Sequence, residues 1–179
     1  MACLNDYTLK GISLDCDANL AGIKEIYLGY FGDFEVTVSE TGSANTHTVT
    51  AMSASTTGAK IHKYELARQT GSLTSTLTKD DANGTRYYTT EIGLSFNKLE
   101  GWKHMEIEAM AAEQLIAIVG DNNGKYWYVG YDSYVGGTAA TAQAGTSFDD
   151  KNGYDVTLSQ MSAHMPYAIE KSIFESFID

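Results

Sequence analysis

The chain has 179 residues and a formal net charge of −11 at pH 7, from 23 acidic and 12 basic side chains. This length suits one domain with a hydrophobic core, and the 43% hydrophobic content with 12 tyrosines indicates a folded chain rather than a disordered one. The acidic balance excludes a protein that grips nucleic acid through clustered lysines and arginines.

Two further classes are excluded by local composition. No apolar run reaches the roughly 18 residues of a membrane span, and the start MACLNDYTLKG lacks the basic and apolar regions of a signal peptide. We therefore expect a protein that stays in the compartment where it is made and does not contact a membrane. In such a compartment Cys3 and Cys16 are expected to stay reduced.

The first half of the chain predicts short strands. Segments 22–31 and 34–40 are expected to form two strands joined by a tight turn at Gly32-Asp33. The polar segment 41–59 is expected to be a loop that contains one short strand near residues 48–52. Strands are also expected within KIHKYELARQ and SLTSTLTKD, which follow it.

TRYYTTEIGLSF, residues 85–96, has the clearest alternation of the chain. The core face of this predicted strand comprises Tyr88, Thr90, Ile92, Leu94 and Phe96. The polar face comprises Tyr87, Thr89, Glu91 and Ser95.

The period then becomes helical from Lys98 to about Ala112, with a stripe made of Leu99, Trp102, Met105, Ala109 and Ala112. Asn97 and Glu100 resemble a capping box, and we expect this helix to pack on the hairpin that follows it.

IVGDNNGKYWYVGY, residues 118–131, concentrates polar groups between two apolar runs. Its glycine spacing and the Tyr126 that follows Lys125 exclude a phosphate-binding P-loop, and the calcium-loop pattern fails as well. Asn123-Gly124 instead predicts a hairpin turn with positive φ at both residues. Asn-Gly also occurs at 83–84 and 152–153, which suggests a meander of hairpins.

Segment 135–145 is expected to be a flexible loop, and 153–162 a closing strand with Val156 and Leu158 facing inward. The tail 167–179 carries large apolar residues that are expected either to cover the core of their own chain or to dock on a neighbouring subunit. The first twenty residues pose the same choice.

No catalytic, cofactor-binding or metal-binding residues are predicted. The four histidines are scattered, no nucleophile elbow is present, and His104 with Glu108 is interpreted as an exposed helix pair. The carboxylate pairs Asp149-Asp150 and Glu106 with Glu108 are interpreted as solvated charge. The aromatic cluster at 126–134 can stack sugars or bases, but in a β-domain it more often forms core or a subunit contact.

The order of these elements resembles that of a known protein family, and three sequence segments support the resemblance: GISLDCDANLAGIKEIYLGYF, NKLEGWKHMEIEAMAAEQLIAIVGDNNGKYWYVGYD and GTSFDDKNGYDVTLSQM. Residues 11–162 resemble virion structural proteins of tailed phages that infect Bacteroidetes, namely the tail-tube family and the portal-adjacent ring proteins of crAss-like phages.

The resemblance implies one domain over 1–179, an antiparallel β-sandwich or half-barrel with one flanking α-helix. It implies a homo-oligomeric ring, sixfold or twelvefold, that joins other tail or neck proteins in the virion and lets DNA pass through its lumen without tight binding. The chain would be synthesised in the cytoplasm of the bacterial host. In tube proteins a loop like 41–59 reaches the next ring.

Under this reading the chain is not an enzyme, and its functional residues are interface residues. The candidates for the subunit interface are Trp127, Tyr128, Tyr131, Tyr167, Phe174 and Phe177, with 1–20 and 167–179 as possible docking arms. The alternative function is a carbohydrate- or small-ligand-binding β-domain at a tail tip, using Trp127, Tyr128 and Tyr131.

Overall fold

The computed structural model describes residues 11–14, 16–39 and 46–179. The predicted fold class is confirmed: the protein is mainly β, with antiparallel sheets and few helices. The strands are β1 (Ile23–Tyr30), β2 (Phe34–Val38), β3 (Val49–Ala54), β4 (His62–Glu65), β5 (Ser72–Asp80), β6 (Thr85–Asn97), β7 (Leu115–Asp121), β8 (Tyr126–Val129), β9 (Gly136–Gln143), β10 (Gly153–Ser162) and β11 (Tyr167–Ile169). The helices are α1 (Gly101–Ala112) and the single turn α2 (Lys171–Phe174), and a 3-10 turn follows at Glu175–Phe177.

Two antiparallel sheets form a sandwich. The five-stranded sheet has the order β11-β8-β7-β1-β4, and the four-stranded sheet has the order β5-β6-β10-β9. The first core lies between them, where alternating residues of β6 and β10 meet the inward residues of β1 and β7. The predicted core face of β6 is confirmed at Thr90, Ile92 and Leu94, and Val156 and Leu158 point inward as expected.

The other face of the five-stranded sheet is also buried, in a second core. The β2–β3 hairpin and the tail from α2 onward cover this face and supply Phe34, Val49 and Phe174. Burial on both faces explains why β7 consists almost entirely of buried apolar residues instead of alternating with polar ones. Of the two roles considered for the tail, the structure shows the first: the tail covers the core of its own chain.

Two expectations about the strands need correction, and a third is confirmed. The turn at Gly32-Asp33 exists, but β1 and β2 do not pair, because β1 lies between β4 and β7 while β2 pairs only with β3. In the segment 41–59, the short strand expected near residues 48–52 is confirmed as β3, and 41–45 lie outside the described residues. The expected flexible loop 135–145 is largely β9, an edge strand. Its small residues lack the hydrophobic alternation that indicates a strand in a sequence.

The helix was predicted correctly, but its buried face was not. Ile107 and Met110 enter the first core, whereas Trp102 and Met105 of the predicted stripe are 64% and 73% exposed. Helix α1 begins at Gly101 with no side-chain cap, so the predicted capping box is wrong. The helix packs mainly along β9 rather than on the following hairpin.

The hairpin predicted from Asn123-Gly124 is confirmed as the β7–β8 pair, although its turn differs from the expected one. Gly124 has a φ of 79°, but Asn123 is not in the positive-φ region. Asp121 shapes a wider turn, because its Oδ1 accepts hydrogen bonds from the N–H groups of Asn123 and Lys125. The same holds at 83–84, where only Gly84 has positive φ.

Candidate assembly surface

The six candidate interface residues lie in different environments. Tyr128, Tyr167 and Phe174 are at most 3% exposed inside the second core, so the chain itself already covers them. Trp127, Tyr131 and Phe177 are half-buried at the margins of the cores. The burial of these three candidates corrects their assignment to the protein surface. Sequence alone does not distinguish an aromatic residue of the core from one at a subunit interface. The role of the other three at a subunit interface stays a prediction.

The polar turn 121–125 binds its own chain. Asn123 accepts a hydrogen bond of 2.8 Å from the Leu20 N–H and donates from Nδ2 to the Leu20 carbonyl oxygen at 3.1 Å. Asn122 donates to the Ala21 carbonyl oxygen at 2.7 Å. The turn is therefore a latch for residues 19–21, immediately before β1. Of the predicted docking arm 1–20, residues 1–10 and Asp15 lie outside the described residues.

One carboxylate in the sandwich is largely buried. The side chain of Glu25 on β1 is 11% exposed, and Lys63 of β4 lies 3.1 Å from its Oε2. Tyr126 of β8 donates to Oε1 at 2.9 Å. Burial opposes ionisation, but these two hydrogen bonds outweigh it and lower the pKa of Glu25. Burial and the carboxylate raise the pKa of Tyr126 to about 12, so this phenol stays protonated and acts as a donor.

The cluster around Glu25 is structural rather than catalytic in form. Its three members Glu25, Lys63 and Tyr126 come from β1, β4 and β8, and each is paired with another member. Within the described part of the chain, no group of three or more His, Cys, Asp or Glu side chains is placed to hold a metal ion. His104 instead contacts the ring of Tyr154 edge-on at 5.2 Å.

The four-stranded sheet ends in two strands whose outer edges meet no other strand of the described chain, β5 and β9. The sequence of β9 is GGTAATAQ, which contains no charge and no proline, and residues 138–143 are exposed. On β5 the stretch SLTSTLT is also uncharged. Soluble proteins protect such edges with lysine, proline or a covering element, because bare edges recruit other strands.

The five-stranded sheet differs, because its own chain covers parts of both outer strands. At the β11 edge, Ala168 donates to the His47 carbonyl oxygen at 3.0 Å. Beside β4, Ile61 N–H donates to the Phe177 carbonyl oxygen at 2.9 Å. Among the described residues of these two sheets, the fully unpaired outer strand edges therefore belong to the four-stranded sheet.

An aromatic patch lies near the start of β9, and only its Tyr134 belongs to the aromatic cluster 126–134 indicated by the sequence. It comprises Tyr30, Phe31 and Tyr134, which are 48%, 39% and 47% exposed. A backbone pair between Leu115 and Val135, with N···O distances of 2.9 and 2.7 Å, brings the start of β9 to the start of β7. The sequence indicates only that these residues are aromatic. Their proximity depends on pairing between strands that are distant in the chain.

Comparison with known proteins identifies no matching family model, no matching curated protein and no matching solved structure. Across residues 11–14, 16–39 and 46–179, neither helix has the length and apolar content needed to cross a lipid bilayer.

Proposed function

We propose that this protein is a non-enzymatic virion subunit of a tailed phage, which assembles with copies of itself into a ring or tube of the tail or neck. The observation that carries the proposal is the pair of outer strand edges, β5 and β9, at opposite sides of one sheet. Helix α1 packs against the start of β9 at Gly137, and residues 138–143 of β9 stay exposed. A surface that binds a different surface on the next copy makes a head-to-tail contact, and such contacts close into rings when the rotation permits.

Strand direction supports this arrangement. Neighbours in the order β5-β6-β10-β9 are all antiparallel, so β5 and β9 run in opposite directions. If the sheet continues from one copy to the next, β9 lies antiparallel to the next β5 and the alternation is preserved. Their lengths also match, with 8 residues in β9 and 9 in β5. A ring built in this way encloses a lumen with a continuous sheet.

The outer face of the four-stranded sheet suits the wall of a DNA channel. Its central residues include Thr74, Thr76, Thr89, Glu91, Ser95, Thr157 and Ser159. Lys151 donates to both Ser95 and Asp155, and this contact lowers the pKa of the Asp155 carboxyl, which keeps the two charges paired. A hydroxyl-rich and acidic wall does not retain passing phosphates. In the proposed ring this face lines the lumen.

The proposal is tested by placing a charge on the edge. Ala139→Lys puts a lysine in the middle of β9, and we expect it to abolish rings or tubes seen by electron microscopy and light scattering. Thr37→Lys, at an exposed position on β2 away from both edges, is the matched control and should assemble normally. A wild-type protein that stays monomeric at high concentration would contradict the proposal.

The ligand-binding alternative is less well supported by the site. Tyr128 is 2% exposed and offers no ring face to a sugar, and Trp127 and Tyr131 are half-buried. Glycan-array binding by the monomer is the result that would favour this second function.

A further inference from the structure

We propose that helix α1 of one copy docks, through its exposed apolar face, into a cleft between β5 and β8 of the next copy. This inference rests on the proposed head-to-tail ring and names the side-chain contact that accompanies the pairing of β9 with the next β5. The partner is a second copy of this chain. The exposed face of α1, termed the helix face, comprises Trp102, Met105, Ala109 and Ala112.

The helix face is the side of α1 that its own chain leaves exposed. Ile107 and Met110 point into the first core, and at about 100° per residue Met105 points away from both. Trp102 and Met105 are 64% and 73% exposed. Large apolar side chains at helical spacing normally face a protein interior. Their exposure on one helix marks an apolar surface that no described part of the chain covers.

Helix α1 closes the side of the sandwich at which β4 and β9 are the outer strands. On the β4 side, the Tyr64 hydroxyl donates to Glu106 at 2.8 Å. On the β9 side, Ala111 packs against Gly137, where an added Cβ would lie 2.6 Å from the Ala111 Cα. The helix face therefore points outward on the flank where β9 pairs with the next copy in the proposed ring.

The opposite side of the sandwich contains a cleft of about 280 Å³, where β5 and β8 face each other. Leu73 of β5 and Trp127 of β8 line it, together with Leu20 from the segment before β1. Leu20 is 60% exposed, while Leu73 and Trp127 are half-buried against the first core. Asp121 and Asn123 form the polar end of the cleft. An apolar opening therefore lies beside the outer edge of β5.

Pairing of the two strand edges brings the helix face to this cleft. In the proposed ring β9 runs antiparallel to the next β5, so the end of β9 lies beside the start of β5. Helix α1 begins near the end of β9, because His104 contacts Tyr154 at the start of β10, and that part of β10 pairs with the end of β9. Trp102 and Met105 then lie beside Leu73 at the start of the next β5.

Both surfaces lie on the core side of the continuous sheet. On β5, Leu73 is on the core side because it pairs with the fully buried Ile92. On β9, helix α1 packs on Gly137, which pairs with the fully buried Leu158. The outer face of the sheet, which lines the lumen in the proposed ring, takes no part in this contact.

The lengths of the two surfaces agree as well. Helix α1 runs from the end of β9 to its start, in the same direction as the next β5. Leu73 and Leu77 are ~13 Å apart along a strand, and Met105 and Ala112 are ~10 Å apart along a helix. Leu77 is 48% exposed in the single chain. When Met105 lies beside Leu73, Ala112 lies near Leu77, so one contact covers both leucines.

The helix contact also supplies apolar area that the paired edges lack. The β9 sequence GGTAATAQ has only small apolar side chains, so pairing of the edges alone buries little apolar surface. Stable protein interfaces bury about 800 Å² on each partner. Burial of Trp102, Met105 and Leu20 adds to that area, and tryptophan is a frequent anchor of such interfaces.

Three carboxylates beside the two surfaces are held by their own chain. Glu106 accepts the hydrogen bond from Tyr64, and Glu100 pairs with Lys103 at 3.0 Å. Asp121 accepts hydrogen bonds from backbone N–H groups of its own turn. These groups need no partner across the contact, which is apolar at its centre.

The test is the protection of single cysteines in the full chain. In a background with Cys3→Ser and Cys16→Ser, Met105→Cys and Leu20→Cys place one thiol on the helix face and one in the cleft. We expect each thiol to react with a maleimide at least about tenfold more slowly in assembled protein than in dilute monomer, because burial shields it. Thr37→Cys, at an exposed position on β2, is the matched control and should react equally fast in both states.

Crosslinking identifies the partner surface. When Met105→Cys protein is mixed with affinity-tagged Leu20→Cys protein, a short bismaleimide should produce a mixed dimer that exceeds either homodimer severalfold. In the wild-type background, Met105→Glu should weaken self-association about tenfold in light scattering. Met161→Glu is its control, because Met161 is 65% exposed on the outer face of the sheet, and it should associate as the wild type does.

Two outcomes separate this contact from the ring itself. If rings form while the thiols at positions 105 and 20 react as fast as in the monomer, or while no mixed dimer forms, the contact is overturned and the ring stands. If the wild-type protein stays monomeric at every concentration, the proposed function fails together with the contact.

Discussion

The hydroxyl of Tyr126 donates a hydrogen bond of 2.9 Å to Oε1 of Glu25, although 101 residues separate the two in the chain. This contact ties β8 to β1 on the face that the tail covers. Lys63 completes the cluster from β4, so three strands of the five-stranded sheet share one carboxylate.

The Glu25 cluster predicts a pH-dependent stability. Because the folded pKa of Glu25 lies below its unfolded value of about 4.3, its contribution is full above that pH and is lost as pH falls through the folded pKa. We expect Glu25→Gln to lose ~1–3 kcal/mol in urea unfolding at pH 7, and the difference from wild type to shrink at pH 3. Glu35→Gln, an exposed control on β2, should change stability little at either pH.

The tail makes a second prediction about stability. Phe174 is fully buried and contacts the rings of Tyr27 and Tyr126 edge-on at 5.2 and 5.4 Å. Phe174→Ala should lower the free energy of unfolding by ~3–5 kcal/mol, measured by chemical denaturation. The exposed Phe148→Ala should change it by less than ~0.5 kcal/mol. Loss of oligomers with unchanged stability in Phe174→Ala would instead assign this residue to a subunit contact.

The latch at the β7–β8 turn can be followed by hydrogen exchange. Asn123→Ala removes the acceptor of the Leu20 N–H, so that amide should exchange roughly tenfold faster in a peptide covering residues 16–22. Asn83→Ala changes the asparagine of another Asn-Gly turn, which bonds only Asp80 nearby. Exchange at Leu20 that responds equally to both variants would rule out a specific latch.

Two glycines make a matched pair for packing. A Cβ on Gly153 would lie 2.1 Å from the Phe96 carbonyl oxygen, so Gly153→Ala should destabilise by ~1–3 kcal/mol in thermal or urea unfolding. A Cβ on Gly101 meets nothing within 4 Å at the start of α1, and Gly101→Ala should stabilise by ~0.5–1 kcal/mol. Equal effects in the two variants would argue against close packing at the β6–β10 pair.

The sequence predicts best where structure is local. The alternation of β6 and the strand pairing of the hairpin from Leu115 to Val129 are correct, because neighbouring residues determine the buried face and the position of the turn. The face of α1 is wrong because helical spacing fits two stripes, and only long-range packing selects Ile107 and Met110 over Trp102 and Met105. Likewise, a composition rich in glycine, alanine and threonine conceals the edge strand β9.

The candidate site was harder to predict than the fold. Tyr128, Tyr167 and Phe174 have the aromatic character of interface residues, yet they are buried under the β2–β3 hairpin and the tail. The bare edges of β5 and β9 follow from strand order, which one sequence does not specify. The residue types could therefore indicate that these side chains make contacts, but not whether the contacts lie within one chain or between subunits.

The tail covers the five-stranded sheet of its own chain, and this has a consequence for the order of folding and assembly. A subunit that closes both cores by itself reaches its final shape alone and needs no partner as a folding template. Copies can then accumulate as finished monomers, and their joining becomes a question of concentration and of an initiating surface. Under the proposed function, control over when a ring forms would reside in the exposed strand edges and not in the interior.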